Sequence, residues 1–154
     1  MELAEHRQKE VRWLAMRCLA HLGRFDSMVA VLDDVDQRAD WADYIMQLRA
    51  AIKFSPDIAA GLRQSLEKQY GKDSAALYRM LWGYTQDELK NGQDAKLVEY
   101  LNYDSLPMRV LSFWNLKNIT GLGLFYRPSD QPAKRQLSIR RWKERLDAGE
   151  IRRE

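Results

Sequence analysis

Residues 96–121 read KLVEYLNYDSLPMRVLSFWNLKNITG, and this stretch decides the fold class. Leu97, Val98 and Leu101 recur at helical spacing, which predicts a short helix over Asp94 to Leu101. Asp104-Ser105-Leu106-Pro107 then breaks that helix and opens a strongly apolar one, Met108 to Ile119. Proline suits the opening, because the missing N–H has no intrahelical acceptor in a first turn anyway. Thr120-Gly121 stops it, glycine supplying the backbone freedom of a helix end. No alternation of period two appears.

The same grammar extends outward. Upstream, Ala4, Val11, Leu14, Ala15, Cys18 and Leu22 form one stripe of an amphipathic helix ended by Gly23, which predicts a buried Cys18. A second helix is predicted over Asp26 to Leu32, and a third over Trp41 to Phe54 after the acidic turn DDVDQRAD. Ser55-Pro56-Asp57 is a strong helix start: a hydroxyl cap, a first-turn Pro and a carboxylate near the positive dipole end. That helix ends near Gly71, and Asp73 or Ser74 opens another through Leu77, Met80, Leu81, Tyr84 and Leu89 to a stop at Asn91-Gly92. Downstream, GLGLFYRPS crosses to a final helix, opened by Asp130, with Pro132 in its first turn and an end near Ala148. The expectation is an all-α chain of about eight helices without strands. It forms one domain over 1–154, with a first hairpin (1–35), an irregular middle (38–92) and a closing part (93–148).

Composition bounds the function classes. The 154 residues suit one domain, and 45% hydrophobic against 31% charged residues supports a packed core rather than disorder. Eight Gly and four Pro are too few for a many-turned all-β domain. One Cys excludes an intrachain disulfide and a structural zinc site built on several thiolates. No apolar run approaches the roughly 18 residues of a spanning helix, and the N-terminus has no apolar signal-peptide core. The chain therefore reads as soluble, with its compartment open: cytoplasm, or a soluble domain of a longer membrane-associated protein. Net charge is −2 over 1–50, zero over 51–100 and +5 over 101–154, so the whole basic excess lies at the C-terminal end. Such asymmetry can mark a surface for an acidic partner, or an ordinary solvated face.

Residues 11–23, VRWLAMRCLAHLG, align with 108–120, MRVLSFWNLKNIT, through Arg12/Arg109, Leu14/Leu111 and Leu19/Leu116. A short outer helix followed by an apolar inner helix is the unit of a helical solenoid. The 96–121 segment, with Asp in the turn and Arg109 early in the inner helix, resembles a HEAT-type repeat. The following FYRPSDQPAKRQLSIRRWKERL is similar to the tail closing such domains in uncharacterised bacterial proteins, where a Tyr-x-Pro turn leads into an Arg-rich helix bearing a Trp. Tyr126, Pro128, Arg135 and Trp142 match that pattern. The likeness covers 96–146. It implies a right-handed α-α superhelix and a scaffold or appended domain rather than a fixed chemistry.

Candidate chemistry is sparse. Cys18 and His21 lie three apart, but two ligands do not make a metal site, and His6 is fifteen residues before His21. Asp33, Asp34, Asp36, Asp40 and Asp43 lack the Gly and closing Glu of a calcium loop, and Asp36 and Asp40 fit helix starts better. Gly121-Leu122-Gly123 is half a dinucleotide fingerprint with no preceding strand, so it reads as a helix stop. Asn118-Ile119-Thr120 matches a glycosylation acceptor but falls in a helix end. Trp114 and Trp142 sit on apolar faces, whereas Trp13 and Trp82, if exposed together, would line a binding groove. No catalytic residue, cofactor or metal is expected.

The last helix carries the sharpest surface signal. At 100° per residue Lys134, Arg141 and Arg145 fall within about 40° of one another, while Ile139, Trp142 and Leu146 form a neighbouring apolar face. The helix is expected to dock through Trp142 and leave a cationic stripe outside. The sequence thus points to a non-catalytic protein-interaction or structural module, whose partner is another protein or another domain of the natural chain. The candidate surface is Lys134, Arg140, Arg141, Arg145, Trp13 and Trp82. The alternative is a nucleic-acid-binding, base-repair-related domain using the same Arg-rich helix.

Overall fold

The computed structural model describes residues 25–152 together with 10, 11, 14 and 18, and every regular element among them is helical. After a short α1 (Asp26–Ala30) come six helices of seven or more residues, against the eight or so expected. These are α2 (Trp41–Phe54), α3 (Pro56–Tyr70), α4 (Ser74–Trp82), α5 (Asp94–Tyr100), α6 (Leu106–Thr120) and α7 (Pro132–Asp147). The chain divides into two compact units, 1–75 and 76–154, with the boundary inside the first turn of α4.

In the first unit α2 and α3 pack together and α1 lies on α3. Met28, Val29, Leu32, Ile45, Leu48, Leu62 and Leu66 are fully buried, and each such side chain contributes roughly 1.5–3 kcal/mol of apolar burial. Ser55 is extended, and its Oγ accepts from the Ile58 N–H at 3.2 Å, so the Ser-Pro-Asp start is as predicted. Asp26 ties α1 to α3, accepting from Ser65 Oγ at 2.7 Å and Lys68 Nζ at 2.9 Å. The Trp41 indole N–H donates to Val31 O at 2.8 Å.

Two local expectations change here. The second helix tightens into a 3-10 turn at Val31–Asp33 instead of continuing to Leu32. Asp34 breaks out to φ −105°, ψ 104° and accepts from the Asp36 N–H at 3.0 Å. Asp34 thus caps the Val35–Gln37 turn, while Asp36 lies in the first turn of that element and Asp40 at the N-cap position of α2, so both stand at helix starts as expected. Glu10, Val11, Leu14 and Cys18 are helical, yet all four are exposed, so Cys18 is not a core residue. Apolar spacing defines one face of a helix; it does not supply the partner that covers it. His6, Trp13 and His21 lie outside the described residues.

In the second unit α5 packs against both α6 and α7. The predicted continuous helix from Ser74 to Leu89 is instead two segments. Gly83, at φ 80°, ends α4, and Thr85 starts a new turn (Gln86–Glu88) through a full capping box. Arg79 braces the break: it pairs with Glu88 at 2.5 Å, donates to Gly83 O at 2.6 Å and lies 4.3 Å from the Tyr84 ring centroid. The expected stop at Asn91-Gly92 is a kink, Gly92 at φ 98°, after which α5 begins. Asn115 Nδ2 on α6 donates to Met80 O on α4 at 3.1 Å, and the Ser112 hydroxyl donates to Leu97 O on α5. Trp142 is fully buried, as the apolar face of α7 predicted, while Trp114 is half-buried. The residue flanking α7 at its start is Gln131 rather than Asp130.

Candidate interaction surface on the closing helix

The last carbonyls of any helix lack intrahelical donors and need partners when buried. Just past the end of α5 three buried side chains supply such donors, to the C-cap carbonyl of Leu101, to the turn carbonyls of Tyr103 and Asp104, and to Pro128 O. Leu101 O accepts from the Tyr126 hydroxyl at 2.6 Å and from Arg135 Nη1 at 2.9 Å. Arg109 Nη1 donates to Tyr103 O at 2.6 Å and Asp104 O at 2.7 Å, while its Nε donates to Pro128 O at 2.9 Å. The residues of the Tyr-x-Pro-and-Arg pattern thus converge on one turn, closing α5, the 121–131 loop and α7 onto each other. Charge-assisted donors make these stronger than neutral bonds. Burial pushes the Tyr126 phenol above its usual pKa, against the opposing pull of Arg135 and Arg109.

The clasp fixes what lies between its anchors. Tyr126 turns inward, with its ring 5.1 Å from that of Phe113, and its N–H closes a turn onto Gly123 O at 3.0 Å. Leu124 and Phe125 occupy left-handed backbone, φ 47° and 59°, at a cost of roughly 1–2 kcal/mol each for an L residue. The outcome is an outward Phe125, 87% exposed. The Arg141 guanidinium carbon lies 5.6 Å from its ring centroid, within the range of a cation–π contact. Leu137, one turn before Arg141 on α7, is 55% exposed.

The predicted cations divide by role. Lys134 is exposed and Arg141 half-buried beside Phe125. Arg145 shares their side of α7 but pairs with Glu150 at 2.5 Å. Arg140 is exposed and sits about 100° around the helix from Arg141. Arg135 is consumed by the clasp. Trp82 is 44% exposed, edge-on to Tyr78 at 6.4 Å, and Trp13 lies outside the described residues.

Phe125 is the residue that sequence reading missed, because GLGLFYRPS looked like a simple crossing loop. The signal was the adjacent aromatic pair Phe125-Tyr126 between a glycine and a proline, where neighbouring side chains cannot both face inward. Among the described residues no three His, Cys, Asp or Glu side chains gather as a metal site. Phe125, Leu137, Lys134 and Arg141 offer apolar contact and positive charge, the chemistry of recognition. The chain matches no protein-family model, no curated protein and no solved structure.

Proposed function

We propose that this chain is a non-catalytic protein-interaction module with HEAT-like packing. Its contact surface is Phe125 together with Lys134, Leu137 and Arg141 of α7. The observation that carries the reading is Phe125 itself: a large apolar ring held in water by strained backbone above a buried clasp. Phe125 is exposed beside the Arg141 cation, and aromatic and Arg side chains dominate the energetics of interfaces. The HEAT-like reading, with the right-handed superhelix it implies, is supported by the short helix, Asp-bearing turn and apolar helix of 94–120. Arg109 holds that turn by its carbonyls.

The partner is another protein or another domain of the natural chain. Phosphate binding has less support, because Arg145 is neutralised by Glu150, Arg135 is buried, and Glu144 is exposed near the same side of α7. The test is affinity capture from the source cells with wild type, Phe125→Ala and Arg141→Glu baits. A stable protein retained by wild type and lost from both variants supports the reading. Equal retention by all three moves the contact elsewhere, and a nuclease-sensitive complex favours nucleic acid.

A further inference from the structure

We infer that the ligand of this surface is an acidic peptide segment in extended form, carrying an apolar residue between two carboxylates. The inference rests on the interaction reading above and specifies the chemistry of its partner. Among the described residues no acid pairs with Arg141, whose recorded contact is the Phe125 ring. The Arg141 guanidinium carries five N–H donors in a planar fork, and with no acid among the described residues paired to it that fork is open to a carboxylate. Lys134 lies seven residues earlier on the same side of α7, about 10.5 Å along the axis. An extended peptide spans that distance in about three residues at roughly 3.3 Å each. Leu137 lies between the two cations on α7, so an apolar side chain between the two acids falls on Leu137 and Phe125. Glu144, exposed and about 60° from Arg141 around the helix, sets a negative charge beside this strip and disfavours a continuous phosphate backbone.

The experiment pans a displayed library of random peptides on the full chain. The enriched peptide is then titrated by fluorescence anisotropy against wild type, Phe125→Ala, Arg141→Glu and Arg141→Lys. Phe125 is so exposed that its Ala variant keeps the fold, which circular dichroism checks for every variant. The expected result is an acid-x-apolar-acid consensus, binding weakened about tenfold or more by Phe125→Ala and by Arg141→Glu. Arg141→Lys falls in between, since a point charge lacks the fork. Peptides without acids that still depend on Phe125 would overturn the acidic chemistry and leave the interaction reading standing. Peptides indifferent to both substitutions would overturn both. Displacement of the peptide by a single-stranded oligonucleotide, with tighter binding, would assign the surface to nucleic acid. Sedimentation showing self-association abolished by Phe125→Ala would assign it to a second copy of the chain.

Discussion

Tyr126 and Arg135 donate to one carbonyl oxygen, that of Leu101, at 2.6 and 2.9 Å. Either donor alone leaves that buried acceptor satisfied; losing both leaves it bare. This shared acceptor links the loop that presents Phe125 to the helix that carries Arg141, so stability and recognition depend on one turn.

The shared acceptor makes the two donors coupled in a stated direction. Tyr126→Phe should cost about 1 kcal/mol, the net value of one hydrogen bond. Arg135→Met also leaves Leu101 O with one donor and removes a buried Nε that has no partner. The double variant should lose about 1 kcal/mol more than the sum, because the carbonyl is then buried unpaired. Urea denaturation of the four proteins measures this. Additivity within about 0.5 kcal/mol would mean that the acceptor is not shared.

Thr85 should behave as a helix cap although it lies inside what the sequence period reads as one helix. Its Oγ1 accepts from the Glu88 N–H at 3.3 Å, and Glu88 Oε2 accepts from the Thr85 N–H at 2.8 Å. Thr85→Ala should cost about 1 kcal/mol, whereas an exposed mid-helix Thr→Ala change would be neutral or stabilising. The sign of the change in melting temperature decides between the two.

Acid should loosen both units through named carboxylates. The Lys68 ammonium and then the Ser65 hydroxyl hold Asp26 below its ordinary 3.8, and the Thr85 N–H and then Arg79 hold Glu88 below 4.5. A depressed folded pKa contributes stability that is present above the ordinary value and lost as pH falls through the folded one. Stability should therefore decline below about pH 4, and Asp26→Asn should flatten that limb. At the alkaline end, burial pushes Tyr84 up to about 12 from 10.0. A raised folded pKa keeps its stability below the ordinary value, so the loss begins above pH 10 and runs through the folded value. Tyrosinate absorbance should show Tyr84 ionising late, together with the buried Tyr70 and Tyr126, and Tyr84→Phe should reduce that late step by one group.

Cys18 should react with a thiol reagent in the native protein at a rate within a few-fold of the unfolded chain, since exposure governs access. Strong protection, released only by denaturant, would return it to a core.

Local chemistry was legible and long-range closure was not. The bounds of α2 and the Ser55 start of α3 follow from residues within one turn of each boundary, so sequence alone placed them. The break at Gly83 was hidden because Tyr84 and Leu89 continue the apolar period across it, although Thr85-x-x-Glu88 spelled the cap. Spacing put Lys134, Arg141 and Arg145 on one side of α7. It could not show that the chain returns after Ala148 to spend Arg145 on Glu150, or that Arg152 reaches the buried Asp94 at 2.9 Å. The all-helical class came from period. The direction of Phe125 came from Tyr126, whose inward hydrogen bond needed Leu101, 25 residues earlier.

The most direct test places the photo-crosslinking residue benzoylphenylalanine at position 125 and irradiates the full chain in the source cells. The account predicts one discrete protein adduct, abolished by Arg141→Glu and absent when the residue stands at the exposed Met46 instead. No adduct at 125, or the same adduct with Arg141→Glu, would contradict it.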